Sequence, residues 1–196
     1  MRRSLAFVAW KSIRSDELDR MESVHSAITG SDRGRRWDSE HLNCAIIARL
    51  VAEFQGFARD LHDEAVDHVV GCLGLADPGL QALTRTAYIR DRDLNKGNPT
   101  WNALKSDFQR LEMCLQADID QRYRRAPQWR KRLQDVLYAR NAIVHADEAK
   151  LLECRRRGDL TLRRAREWRS ALGALASGMD YVTGAHLKVL TGVSPW

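Results

Sequence analysis

Arg140, Asn141 and His145 fall within the six consecutive residues Arg-Asn-Ala-Ile-Val-His and together hold a guanidinium, a carboxamide and an imidazole. An imidazole moves a proton near neutral pH. A guanidinium grips a phosphate through two parallel hydrogen bonds and offsets the charge that builds on it. The amide can orient either one. These are the groups with which a phosphodiester is cleaved by a neighbouring 2′-hydroxyl without a metal.

Something rigid must position them. Pro127 suits the first turn of a helix, and the run 128–149 contains neither Gly nor Pro, so the sequence predicts a helix there. Leu133, Val136, Leu137 and Val144 mark one apolar face of it. Arg140 falls in the middle of that stripe, where a charge needs a partner. Tyr138, Asn141 and His145 form the adjacent stripe and place the amide one turn below the imidazole, with Tyr138 as a candidate supporting residue. His145 lies about 140° around the axis from Arg140, at about 100° per residue. Only the length of the arginine side chain, or a second copy of the helix facing the first, brings both groups to one phosphate.

Arg-Asn-x-x-x-His near the end of a late helix in an all-helical chain resembles the signature of HEPN domains, and Arg140, Asn141 and His145 match it residue by residue. The specific part of the resemblance is these six positions; the helical layout extends it over the whole chain. It implies an all-α HEPN-like bundle with a long core helix and a late motif helix. It also implies a metal-independent endoribonuclease, of the toxin or antiviral-defence kind, whose composite site forms in a homodimer. An antitoxin or other regulatory protein is the further partner so implied. One subgroup carries a Tyr two residues after the His as a site of modification; here that position is Asp147, which argues against such control. The competing reading is structural: Arg140 paired across the core, and His145 placed at a helix C-terminus where the dipole favours an imidazolium.

The strongest core signal is 41–73, where Leu42, Ile46, Leu50, Phe54, Phe57 and Leu61 recur at three and four, predicting one long helix or two nearly continuous ones. Glu53 lies on that stripe and is the candidate to orient Arg140; otherwise it borders solvent at the stripe's edge. Other predicted helices are 16–27 capped by Ser15, 80–89, and one opened by Asn98-Pro99 that runs through Trp101, Leu104, Phe108, Leu111 and Leu115. Gly158 should end the segment after the motif, with Asp159 or Thr161 capping a last helix that reaches 186–190. Gly30, Ser31 and Gly34 predict a loop, and 90–97 a charged connector. No strand pattern, internal repeat or second domain is evident, and 196 residues suffice for one domain.

Charge placement favours a polyanion. Of the 32 basic residues 26 are Arg, and between 122 and 169 there are 15 basic against six acidic residues, in a chain whose overall charge is +6. Arg130, Arg132, Arg155, Arg156, Arg157, Arg163 and Arg164 are the candidate RNA-binding residues. The alternative is a solvated charged face. Trp129 and Trp168 lie among them as core residues or stacking surfaces. Cys44, Cys72, Cys114 and Cys154 lie too far apart for a Cys-x-x-Cys pair and fit free thiols, so no metal or cofactor is expected. His62 and His68 sit on nearly opposite helix faces, and the pair Asp63-Glu64 reads as a solvated face. The apolar run Leu5–Trp10 is stopped by Lys11, too short for a signal-peptide core, and no membrane span is present, which predicts a cytoplasmic protein. Nucleophile-elbow, phosphate-loop and zinc-protease motifs are absent. The runner-up function is a non-catalytic dimerisation or binding module on the same helices.

Overall fold

The computed structural model describes residues 2–29 and 37–196, and the predicted loop at Gly30, Ser31 and Gly34 lies outside them. The described residues form helices α1 (Leu5–Lys11), α2 (Ile13–Thr29), α3 (Trp37–Cys72), α4 (Pro78–Ile89), α5 (Trp101–Gln109), α6 (Leu115–Arg122), α7 (Ala126–Val144), α8 (Glu148–Arg157) and α9 (Leu162–Thr191), with a short 3-10 turn at Asp93–Asn95. No strand occurs among them. The fold is all-α.

Local chemistry sets most of the boundaries. Ser4, Asp77, Thr100, Asp147 and Thr161 each accept a backbone N–H in the first turn of the helix they precede. Pro78 opens α4 at a position where its missing N–H costs nothing. Gly158 (φ 69°) and Gly192 (φ 74°) adopt the left-handed conformation that closes α8 and α9.

The predicted long helix is one unbroken element of 36 residues, about 54 Å at 1.5 Å per residue. It pairs with α9, and α1, α2 and α7 pack against this central pair, while α6 lies on α9 and α7. Leu50, Phe54, Phe57 and Leu61 from α3, Leu133 and Val136 from α7, and Trp168, Leu172 and Leu175 from α9 are all buried in one apolar cluster. Trp168 is therefore a core residue. Trp129 packs its ring on Tyr123, 5.3 Å between centroids.

Three elements differ from expectation. Leu5–Trp10 forms a helix with Ala6 and Trp10 buried, and Ser15 lies inside α2 instead of capping it. The helix expected to run from Asn98-Pro99 through Leu115 is capped by Thr100, stops at Gln109 and resumes at Leu115, because Glu112 turns the chain with φ 58°. The motif helix ends at Val144, five residues before its predicted end.

A buried polar cluster fixes the connector before α5. Asp107, fully buried, accepts the backbone N–H groups of Asp93 and Leu94 at 2.8 and 2.9 Å. Arg92, buried too, donates to Asp63 at 2.6 Å and to Nδ1 of His62 at 3.3 Å. His62 Nε2 lies 3.0 Å from the carbonyl oxygen of Asp107, which fixes the neutral tautomer with the proton on Nε2. Burial, with the Arg92 charge beside it, holds the His62 imidazole down to about 4. Asp63 and Glu64 are thus not a solvated pair: Asp63 holds Arg92, and Glu64 accepts the N–H groups of Leu5 and Ala6 at the start of α1. From the other side Gln55 of α3 donates to the carbonyls of Leu94 and Gly97, both at 2.7 Å. Asn98 follows directly from this anchored segment.

Candidate active site

Arg140 and Asn141 occupy the last turn of α7, and His145 is its C-cap. The turn closes through the N–H of Ala146 to the carbonyl of Ile143 (3.3 Å) and the N–H of Asp147 to that of Ala142 (3.1 Å). This is a Schellman closure, in which glycine usually takes the left-handed position. Here Ala146 takes it, with φ 48°. An L side chain in that conformation costs about 1–2 kcal/mol, so the backbone next to His145 is held under strain by the packing of α7 and α8. Asp147 caps α8 and pairs with Lys150 at 2.7 Å.

The amide is the best-fixed group of the three. Asn141 Oδ1 accepts from Asn98 Nδ2 at 2.6 Å and from Arg140 Nη1 at 3.3 Å. Arg140 is half-buried, and among the described residues no carboxylate lies within ion-pair distance of it. Its only hydrogen bond among the described residues is to the neighbouring amide. His145 is exposed, and its ring has no hydrogen-bond or ion-pair partner among them. Among the described residues, one guanidinium and one imidazole thus lie without an acidic partner at the same helix end, with a tethered amide between them in sequence. Such a constellation can neutralise a phosphate and exchange a proton.

Two expected supporting roles are corrected. Glu53 is buried, but its oxygens are taken by Arg14 (2.6 Å) and Arg49 (2.6 Å), so it does not orient Arg140. Arg14 reaches it by lying over Gly56, where a Cβ would stand 2.8 Å from the guanidinium carbon. Tyr138 directs its hydroxyl to Glu153 of α8, which raises the phenol to about 12, and Arg157 lies over its ring at 5.7 Å. Neither residue supports the imidazole.

The arginine arc is also less available than its composition suggests. Arg130 pairs with Asp120, Arg155 with Glu40 and Glu148, Arg157 with Asp135, Glu153 and Asp159, Arg163 with Glu167, and Arg164 with Asp159 and Glu167. Arg132 and Arg156 alone of the seven have no acidic partner among the described residues. Asp159 is buried, and desolvation raises its carboxyl in spite of both arginines. Its contact with Arg164 is Coulombic, since Arg164 Nε, 3.3 Å from Asp159 Oδ1, makes no hydrogen bond.

Between α7 and the starts of α5 and α6 runs a groove of about 710 Å³ that ends at Asn141. Trp101 lies on its floor beneath the Arg130 guanidinium, 5.2 Å from the ring centroid, and donates its Nε1–H to Gln116 at 3.0 Å. Neither this groove nor Asn98 emerges from sequence spacing. Asn98 reads as a helix cap, and its partner lies 43 positions away. Among the described residues no three His, Cys, Asp or Glu side chains converge as for a metal ion, and no helix is long and apolar enough to cross a membrane. His62 and His68 are separately engaged, by Asp107 and by Thr191.

No family model, curated protein or solved structure matches the chain.

Proposed function

We propose that the protein is a HEPN-like, metal-independent endoribonuclease acting through Arg140, Asn141 and His145, at a composite site between two copies of the chain. The observation that supports the reading is that, among the described residues, neither Arg140 nor His145 has an acidic partner, whereas most neighbouring arginines hold carboxylates. A half-buried guanidinium without an acid is stabilised by an incoming phosphate. In the mechanism His145 takes the proton from the attacking 2′-hydroxyl or returns one to the leaving 5′-oxygen. Arg140 offsets the charge on the pentacovalent phosphorus centre. Asn141, held by Asn98, fixes the Arg140 guanidinium. The second copy supplies the facing imidazole or guanidinium that one helix cannot bring to the same phosphate. DNA, which lacks the 2′-hydroxyl, is not a substrate.

The test is incubation of total RNA in EDTA with wild-type protein and with the Arg140→Ala and His145→Ala variants, each checked by thermal melt. Cleavage by wild type alone, with the variants folded, supports the reading; equal cleavage by all three defeats it. A non-catalytic interaction module is the second reading. It is favoured by α4, which buries none of its residues and leaves Leu80 and Leu83 53% and 67% exposed. In that case the two alanine substitutions lower stability or association, and no RNA is cut.

A further inference from the structure

We infer that the groove between α5, α6 and α7 holds a single-stranded RNA segment and leads its bases past Trp101 and Gln134 to Asn141. The inference rests on the ribonuclease reading and gives its site a substrate form. The groove follows one face of α7 from Pro127 to Asn141, about 21 Å at 1.5 Å per residue. It is long enough for a strand of several nucleotides.

The lining is selective in a way that composition alone does not explain. The chain has 26 acidic residues, yet no Asp or Glu lines this groove. Asn102, Gln116, Gln134 and Asn141 bring four carboxamides to it. Asn102 and Gln134 offer both donors and an acceptor, while Gln116 and Asn141, whose oxygens already accept from Trp101 and from Asn98 and Arg140, add N–H donors; together they complement base edges that are free of pairing. Trp101 packs against the core and carries the Arg130 guanidinium over its ring, a flat cationic platform on which an unpaired base stacks. The arrangement is prebuilt, since Asp120 holds Arg130 and Gln116 holds the indole N–H.

The same contacts say how the strand is held. Arg130 is already paired, and Lys131 lies 3.6 Å from Asp135, so the groove offers little free positive charge along its length. Stacking and amide contacts carry the binding, and Arg140, which does not line the groove but donates to Asn141 at its end, is the cation left for a phosphate. A duplex hides its base faces and edges and does not satisfy such a lining. Affinity for a single strand therefore falls only shallowly with added salt, unlike binding dominated by phosphate contacts.

The experiment is fluorescence anisotropy with a labelled all-2′-O-methyl oligonucleotide, whose blocked hydroxyl cannot attack, run beside cleavage of the unmodified RNA. Trp101→Ala and Gln134→Glu are each expected to weaken binding about tenfold, and the same oligonucleotide annealed to its complement to bind at least as poorly. Trp101 is half-buried, but Gln134 is exposed, so the second variant keeps the fold if the first does not. Binding within twofold of wild type for folded Gln134→Glu, equal affinity for the duplex, or no binding of the single strand overturns the inference. So does a groove variant that changes oligomeric state and leaves RNA affinity alone. If RNA stays intact while binding depends on Gln134, the ribonuclease reading falls and the groove stands. If cleavage depends on His145 but ignores both groove variants, the groove falls alone.

Discussion

His62 makes the stability of this fold depend on pH in a way that can be worked out in advance. Its ring is fully buried, Nε2–H donates to the Asp107 carbonyl, and Nδ1 accepts from Arg92, so a second proton would be desolvated and set against a guanidinium. The folded-state value is held down to about 4 from an ordinary 6.5. The unfolded chain therefore binds the proton more readily than the native state. Above the unfolded value both states are neutral and the full stability is present; it is lost as pH falls from about 6.5 towards about 4. A tenfold difference in proton affinity corresponds to about 1.36 kcal/mol. The loss is then about 2 kcal/mol on going from pH 7.5 to pH 5, and about 3 kcal/mol once below the folded value. Urea unfolding at these two pH values, on wild type and on His62→Gln, isolates the contribution of this proton. Glutamine keeps one donor near the Asp107 carbonyl and removes the titration, so the variant is less stable at pH 7.5 but loses about 2 kcal/mol less than wild type on acidification. Equal losses in the two proteins would refute the reasoning, because the proton would then be reaching other groups.

Other substitutions probe the corrections made by tertiary structure. Gly56→Ala adds about 1 kcal/mol of helix propensity but displaces Arg14 from Glu53 and Asp60; a net loss of about 1–2 kcal/mol is expected in urea unfolding, with Glu53 left to Arg49. A gain of about 1 kcal/mol would show that Arg14 relocates freely. Arg164→Gln leaves buried Asp159 with Arg157 alone, which should cost about 1–3 kcal/mol of stability and leave RNA affinity within twofold. Arg156→Gln, at a position with no acidic partner among the described residues and outside the groove, should leave both the melting temperature and RNA affinity unchanged, as read by thermal melt and anisotropy.

The long helix, the cap at Thr161 and the stop at Gly158 are readable from sequence, because each depends on residues within a turn or two of one another. The stripe of α3 leaves Glu53 between the interior and the solvent edge, and the fold buries it. What periodicity does not contain is which arginine meets it. Arg49, four positions before it, is a local partner, but Arg14 joins because Gly56 leaves room for its guanidinium, a fact of packing between residues 39 positions apart. The end of α7 escapes sequence reasoning for a different reason: Ala146 occupies a left-handed position that glycine ordinarily fills. The motif residues are visible as a local pattern, whereas Asn98 and Trp101 join them only through the anchored connector and the start of α5. The excess of arginine is plain from composition, but its availability depends on distant acids such as Glu40 and Asp120.

The ends of the RNA fragments test the central claim most directly. Total RNA incubated with wild-type protein in EDTA should yield fragments with 2′,3′-cyclic phosphate and 5′-hydroxyl ends, because the attacking oxygen belongs to the substrate, and none with folded His145→Ala. Fragments with 5′-phosphate ends, cleavage that the chelator abolishes, or equal cleavage by His145→Ala would contradict it.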